Sequence, residues 1–323
     1  MSFFRKKPIA TVAFNLAPRR TAFGGGNQWL NQLSQYLKRC GYDVVYQLTP
    51  DVDCVMGTHA GLSGKLTITY DDVVWAKRRN GRLKCVQRIN DNDVRKGTDE
   101  MDARLAEANT VADHTVFVSE WLRDHHAAKW FSKDRPHSVI TNGADPAVFH
   151  PFGSPVWQPG HPLRLVTHHW SDNMAKGFDV YQEVDNLIAS GDLKGVELWV
   201  IGRWPKQITW KKARTFPPCT GEKLAGLLRQ CHVGITASRY EPGAMHPVEA
   251  MQCGLPLFYH RDGGGTVELG RRFGVELTEN LPESIEALKD RYHELRGCVL
   301  REAPAGDRMC AAYRQIIQSL INQ

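Results

Sequence analysis

The sequence predicts an α/β protein made of two doubly wound parallel-sheet domains. Residues 8–14 read as a strand that runs through a glycine-rich loop, residues 23–27, into a helical pattern and then a second strand over 42–47; strand, loop, helix, strand is the opening unit of such a sheet. A Pro- and Gly-rich stretch, residues 151–162, then precedes a new strand beginning at Leu163, as a linker between domains does. With 323 residues and 42% apolar side chains, the chain has material for two hydrophobic cores.

Composition narrows the class further. No run of about 18 apolar residues is present, so no membrane-spanning helix is expected. The first seven residues lack the apolar stretch and cleavage site of a secretory signal, which points to a cytoplasmic protein. Eight cysteines occur without a Cys-x-x-Cys pair, so reduced thiols are expected rather than disulfides or a zinc site. The net charge is +6, with 21 Lys and Arg against 16 Asp and Glu in residues 1–150 and 20 against 19 afterwards. The excess is densest at Lys77, Arg78, Arg79, Arg82, Lys84 and Arg88, followed by Arg95 and Lys96, with Trp75 alongside. Such a cluster is either a solvated face or an attraction for an anionic partner. The candidates are a membrane surface, a lipid-linked sugar diphosphate and nucleic acid.

Taken in order, the helical pattern of the first half is Trp29, Leu30, Leu33, Tyr36, Leu37 and Cys40, stopped by Gly41. Gly24, Gly25 and Gly26 do not have the Gly-x-Gly-x-x-Gly spacing, and the loop is too long for that motif's tight turn, which argues against a bound dinucleotide. Short strands are expected at 54–56, 66–69 and 84–89. Asn90 closes the last of them, at a carboxyl end where open α/β sheets bind ligands; it is either a site residue or a turn residue. His59 is a second candidate of the same kind. A helix over 99–112 and a strand over 114–118 follow, and Ser119 reads as the N-cap of the next helix.

In the second half, a strand over 163–167 and a helix over 180–189 flank a loop containing Lys176-Gly177, and a strand over 196–201 ends at Gly202-Arg203. The pairs His168-His169 and His125-His126 suggest metal ligands, but neighbouring strand residues point to opposite faces and no carboxylate sits at a helpful spacing. No metal and no cofactor are therefore expected. A helix over 222–229 and a strand over 233–237 lead to the richest stretch, residues 238–257. Glu241 and Glu249 there flank a Pro242-Gly243 turn and Pro247, where a helix can begin. The N–H groups of Gly243, Ala244 and Met245 at such a helix start favour a phosphate, and carboxylates grip hydroxyls. A nucleotide sugar asks for both kinds of contact; the plainer reading is a capped surface helix with two water-facing glutamates. A glycine turn at 263–265, with Gly264 and Gly265 able to admit a ligand or simply to turn, and helices over 281–295 and 308–321 complete the chain.

Three segments in order resemble the glycosyltransferases of family 4, which have the GT-B fold: Asn142-Gly143-Ala144-Asp145 with Phe149 and Pro151, then Lys176-Gly177, then Glu241 and Glu249 followed by Gly254-Leu255-Pro256. The resemblance implies two Rossmann-like domains facing a central cleft. Residues 1–154 would form the acceptor-side domain, with a last helix over about 306–323 packing back on it, and 155–305 the donor domain. It implies transfer of a hexosyl or pentosyl unit from a UDP- or GDP-linked sugar to a glycan, lipid-linked or other anionic acceptor, with retention and without an obligatory metal. Glu241 would face the donor sugar, Glu249 the ribose, and Lys176 the diphosphate. Gly24, Gly25 and Gly26, with His59, Arg88 and Asn90, would line the cleft on the acceptor side. The chain departs from the family at Ser171, where an arginine is common, leaving Arg203 as the candidate second cation. It departs again at Asn90, where many members have histidine, and at Gly243-Ala244, where Phe-Gly is common. Rival readings are a transferase acting on modified bases in DNA and a non-catalytic protein of this shape that binds nucleic acid or membrane; peripheral contact with the inner membrane surface would fit the basic first half.

Overall fold

Two separate parallel sheets organise the chain. The structure, a computed structural model, describes residues 7–18, 24–58 and 66–323; His59 lies outside the described residues. Residues 1–141 together with 307–323 form one unit, and 142–306 the other.

The first unit contains β1 (Thr11–Phe14), α1 (Gly24–Arg39), β2 (Asp43–Val45), β3 (Cys54–Gly57), α2 (Tyr70–Arg79), β4 (Lys84–Ile89), α3 (Asp93–Lys96), α4 (Met101–Asn109), β5 (His114–Phe117), α5 (Glu120–Ala127) and β6 (His137–Val139). Its strands are all parallel, in the order β2-β1-β3-β4-β5-β6. The second unit contains β7 (Leu163–His169), α6 (Phe178–Ser190), β8 (Val196–Gly202), β9 (Arg214–Phe216), α7 (Gly221–Leu228), β10 (Val233–Thr236), α8 (Met245–Gln252), β11 (Leu257–His260), α9 (Thr266–Phe273), β12 (Gly274–Leu277) and α10 (Leu281–Glu302). Its parallel sheet runs β12-β11-β10-β7-β8-β9. The last helix, α11 (Gly306–Ile321), belongs to the first unit. Met309, Tyr313 and Ile317 on it join Phe14, Trp29 and Leu33 in one core, with the Trp29 and Tyr313 rings edge-on at 5.3 Å. Among the described residues no helix is long and apolar enough to cross a membrane, and all eight cysteines are free, six of them buried.

Several local expectations change. Gly24, Gly25 and Gly26 form the first turn of α1 rather than a loop; N–H groups there have no intrahelical partner in any case, so weak helix formers cost little. Residues 66–69 are not a strand. Thr69 caps α2 by accepting from the Asp72 N–H at 3.1 Å, while the Asp72 carboxylate accepts from the Thr69 N–H at 2.8 Å, a reciprocal capping box. Strand β7 extends through His169, so the histidine pair lies within it. The units divide after Thr141 rather than near residue 155, because Ala144 bridges to Ala305 and Phe149 packs with Val166, Trp199 and Leu255 of the second unit. The basic cluster also thins. Arg88 is buried with its guanidinium 4.5 Å over the Trp29 ring, Lys77 pairs with Asp113 at 2.6 Å, and Arg95 and Lys96 pair with Asp91. Arg78, Arg79 and Arg82 stay exposed, with Arg79 3.4 Å over the Trp75 ring.

Candidate active site

The second sheet turns in both directions from its middle: β8 and β9 extend from β7 on one side, β11 and β12 from β10 on the other. The carboxyl ends of the neighbouring strands β7 and β10 therefore mark the switch point, and that is where doubly wound sheets bind ligands. The first loop carries Lys176; the second carries Glu241 and leads into α8.

Lys176 closes a 3-10 turn, Met174–Lys176, whose Ala175 N–H is capped by the Asn173 side chain at 2.9 Å. Gly177 follows at φ 84°, and a Cβ there would lie 2.3 Å from the Ala237 carbonyl oxygen. Glycine is thus what lets the two loops touch. Arg239 N–H donates to Ala175 O at 2.9 Å across the same seam. As a result the Lys176 ammonium reaches Glu241 and forms an ion pair with it, the two side chains being 15% and 5% exposed.

Glu241 is braced from behind. Its backbone forms a parallel bridge with Gly264, its carbonyl accepts from Gly265 N–H at 2.8 Å, and Tyr240 N–H donates to Asp262 O at 2.8 Å. Gly264, at φ 63°, has no room for a Cβ, which would stand 2.6 Å from Glu241 O. The close approach that this glycine admits is therefore to Glu241. Tyr240 itself adopts φ 55°, a left-handed conformation uncommon for a bulky residue and typical of functional loops.

Helix α8 begins at Met245 with no side-chain cap, Ala244 standing at the N-cap in extended conformation. Pro247 is accommodated in its first turn. Asn142, which opens the first of the segments that carry the family resemblance, donates from its amide to Gly243 O at 2.7 Å and so fixes the turn before the helix.

Glu249 lies one turn further along α8 and is buried, as is His168 on β7. The His168 Nε2–H donates to Glu249 Oε2 at 2.6 Å; Glu249 Oε1 is buried without a hydrogen-bond partner. Two more histidines crowd this point. The His246 ring lies 5.9 Å from that of His168 and 4.7 Å from that of His169. His246 Nε2 meets Thr236 Oγ1 at 2.7 Å. His169 Nε2 meets Thr167 Oγ1 at 2.9 Å and the Tyr181 hydroxyl at 3.1 Å, and that hydroxyl accepts from Ala237 N–H at 2.8 Å. Burial above all, with neighbouring His and Lys charge, holds His169 and His246 well below the ordinary imidazole range, so both are neutral at pH 7.

One unit thus brings together Lys176, Glu241, Glu249, Gly243, Ala244 and Met245. Arg203 stands at the same sheet end, exposed, its backbone N–H on His169 O at 2.9 Å and its guanidinium 3.4 Å from Trp170 O. Gly24, Gly25, Gly26, Arg88 and Asn90 belong to the first unit. There Asn90, with its amide turned to satisfy both partners, donates to Thr58 O and accepts from Arg88, each at 3.1 Å, and a Cβ on Gly26 would sit 3.9 Å from the Asn90 amide nitrogen. A cavity of about 750 Å³ elsewhere in the second unit, lined by Asp179, Glu183, Glu276 and Glu283 among others, is too acidic to suit a diphosphate.

The sequence argument that no carboxylate attends the histidine pairs does not survive folding. Glu249 meets His168, and Asp102 lies with His125 and His126. The latter group is already satisfied: Asp102 accepts from Lys129 and from His125 Nε2 at 3.0 Å, while His126 has both ring nitrogens engaged, with Asp91 O and with the Trp130 indole N–H, at 3.0 Å each. His246 and Tyr181 are site residues the sequence reading passed over; it weighed His168 only as a metal ligand and named Asn142 only within a segment that carries the family resemblance. Only the placing of His246 three residues before Glu249, on one helix face, was a legible signal.

Comparison with known proteins agrees with this architecture. The family described as "Glycosyl transferases group 1" matches residues 209–294, a segment that contains Glu241 and Glu249. No curated protein matches the chain. Among solved structures, sucrose-phosphate synthase from Thermosynechococcus elongatus superposes with a TM-score of 0.70 at 14% identity, over 97% of this chain and 99% of that one. HepE from Anabaena, in complex with UDP and glucose, gives 0.68 at 14% identity over 96% and 100%. WaaG, a glycosyltransferase involved in lipopolysaccharide biosynthesis, gives 0.62 at 12% identity over 95% and 99%. The chain has the GT-B fold of these enzymes, and the family match and shared fold together support a glycosyltransferase.

Proposed function

We propose that the protein is a retaining glycosyltransferase that moves a sugar from a nucleoside diphosphate to an acceptor hydroxyl without an obligatory metal. The observation that carries this reading is the pair of buried glutamates on either side of the uncapped start of α8, one ion-paired to Lys176 and the other with an unsatisfied oxygen. Glu249 Oε1 accepts from a ribose hydroxyl. The N–H groups of Gly243, Ala244 and Met245 receive the diphosphate, where helix-end partial charge favours an anion. Lys176 and Arg203 neutralise the negative charge that grows on the leaving oxygen, a preorganised electrostatic role. Glu241, held by Lys176, orients the donor sugar. In the transfer the bond from the sugar's anomeric carbon to the phosphate oxygen breaks, the acceptor oxygen bonds to that carbon on the same face, and the departing phosphate oxygen takes the acceptor's proton. The exposed Arg78, Arg79 and Arg82 suit an anionic acceptor or surface, and eight free thiols suit a reducing compartment.

Heat stabilisation by a panel of UDP- and GDP-sugars, followed by hydrolysis and transfer assays, tests the reading. UDP-glucose comes first, because HepE was also solved with UDP-glucose. Stabilisation by one donor and turnover that persists in EDTA are expected. No response to any donor would overturn the function, and turnover lost in chelator and restored by magnesium would overturn its metal-free form.

A further inference from the structure

We infer that His168 is a positioning residue for nucleoside recognition: its Nε2–H holds the Glu249 carboxylate in one orientation, so that Oε1 is presented to the vicinal hydroxyls of a ribose. The inference rests on the proposed function and adds to it the residue that makes Glu249 competent.

A polar side chain is buried at a cost unless it is hydrogen-bonded. Among the described residues the Glu249 side chain has one such partner, His168, at 2.6 Å, a distance typical of a charge-assisted bond. Because the carboxylate accepts, the proton of this imidazole sits on Nε2. The other oxygen, Oε1, is buried without a partner, which is rare in folded proteins and asks for an explanation. Among the described residues nothing competes for it. His246, from the same helix, spends Nε2 on Thr236. His169, on His168's own strand, is turned to Thr167 and Tyr181, and Lys176 is paired with Glu241. The geometry therefore commits one oxygen to His168 and leaves the other for a hydroxyl donor. β7 and α8 meet at the sheet's switch point, so strand and helix together set the angle of the carboxylate.

The test uses the full chain, with UDP and 2′,3′-dideoxy-UDP as calorimetric probes and UDP-glucose kinetics alongside. Wild type should prefer UDP over the dideoxy form. His168→Leu should weaken UDP by about ten- to hundredfold, the scale of leaving a buried acceptor unsatisfied, and should erase the preference. The loss should fall on donor KM more than on kcat. His168→Gln, whose amide N–H reaches the Nε2 position, should restore most of the affinity and the preference. Retained ribose preference in His168→Leu, or failure of a normally folded His168→Gln to rescue, would overturn the inference. If His168→Leu does not fold, His168→Asn, whose amide stops near Nδ1, decides in the same way. Wild type that binds no nucleoside diphosphate refutes the underlying function instead; binding lost in Glu249→Ala but kept in His168→Leu refutes only the role of His168.

Discussion

Lys176 answers to two anions, Glu241 in the structure and a diphosphate in the proposed reaction. Replacing it with alanine should cut kcat by roughly 10²–10³, about 2.7–4 kcal/mol, as for other lost oxyanion donors. It should also remove the ion-pair partner of Glu241, whose side chain is only 5% exposed, at a cost of up to about 3–5 kcal/mol of stability. The two effects are separable. In a Lys176→Ala, Glu241→Gln double variant, urea denaturation should show stability partly regained while transfer stays lost; full additivity of the two stability losses would mean that the pair is not coupled. Gly177 is the residue that allows the pair. Gly177→Ala should cost at least about 1–2 kcal/mol from the left-handed backbone alone, with a clash against Ala237 added, and should lower activity by moving Lys176.

Helix α8 is the element that joins function to fold, and its start is built against local stability. Ala244 holds an N-cap conformation, φ −69° and ψ 140°, without a capping side chain. Ala244→Ser should stabilise the protein by about 0.5–2 kcal/mol, because the serine oxygen would accept from the N–H groups that the proposed diphosphate uses. UDP affinity should fall in consequence. Thermal denaturation read beside UDP titration checks both, and a more stable variant with unchanged affinity would show that the diphosphate lies elsewhere. In the first unit, α11 plays the corresponding structural part. Deleting residues 307–323 uncovers Trp29, Phe14 and Leu33, and fluorescence-detected unfolding should show loss of the first unit's cooperative transition.

At the scale of the whole chain, acid should destabilise both units in one window. His126 in the first and His232 in the second are held down to about 4, mainly by burial, against about 6.5 for an unfolded histidine. With the folded value the lower one, the unfolded state binds the proton first. Stability is therefore complete above about 6.5 and is lost as pH falls toward 4. Urea midpoints measured from pH 7.5 down to 4.5 should decline through that interval, and a flat profile would show that these imidazoles are solvated in solution. His169 and His246 shift in the same direction, so the unit that holds the candidate site should respond strongly.

What the sequence determined by itself is whatever short-range patterns encode. Short apolar runs placed most strands, Ser119 marked a helix start, and the spacing of Glu241 and Glu249 around a turn and a helix start marked a candidate site, because each depends on neighbours within a few residues; Lys176-Gly177 joined it only through the family resemblance. Local pattern also misled where two states share it: residues 66–69 are apolar enough for a strand, yet Thr69 and Asp72 make them a helix approach. Only the tertiary structure decided which charges meet. Lys176 finds Glu241 across 65 residues and His168 finds Glu249 across 81, because the strand order lays β7 beside β10 and so brings the loop after one and the helix after the other to a common edge. Strand order is a property of the whole sheet, and no window of the sequence contains it. Burial then gives those pairs their weight, since a carboxylate that could face water in a surface helix must, once enclosed in α8, have a partner.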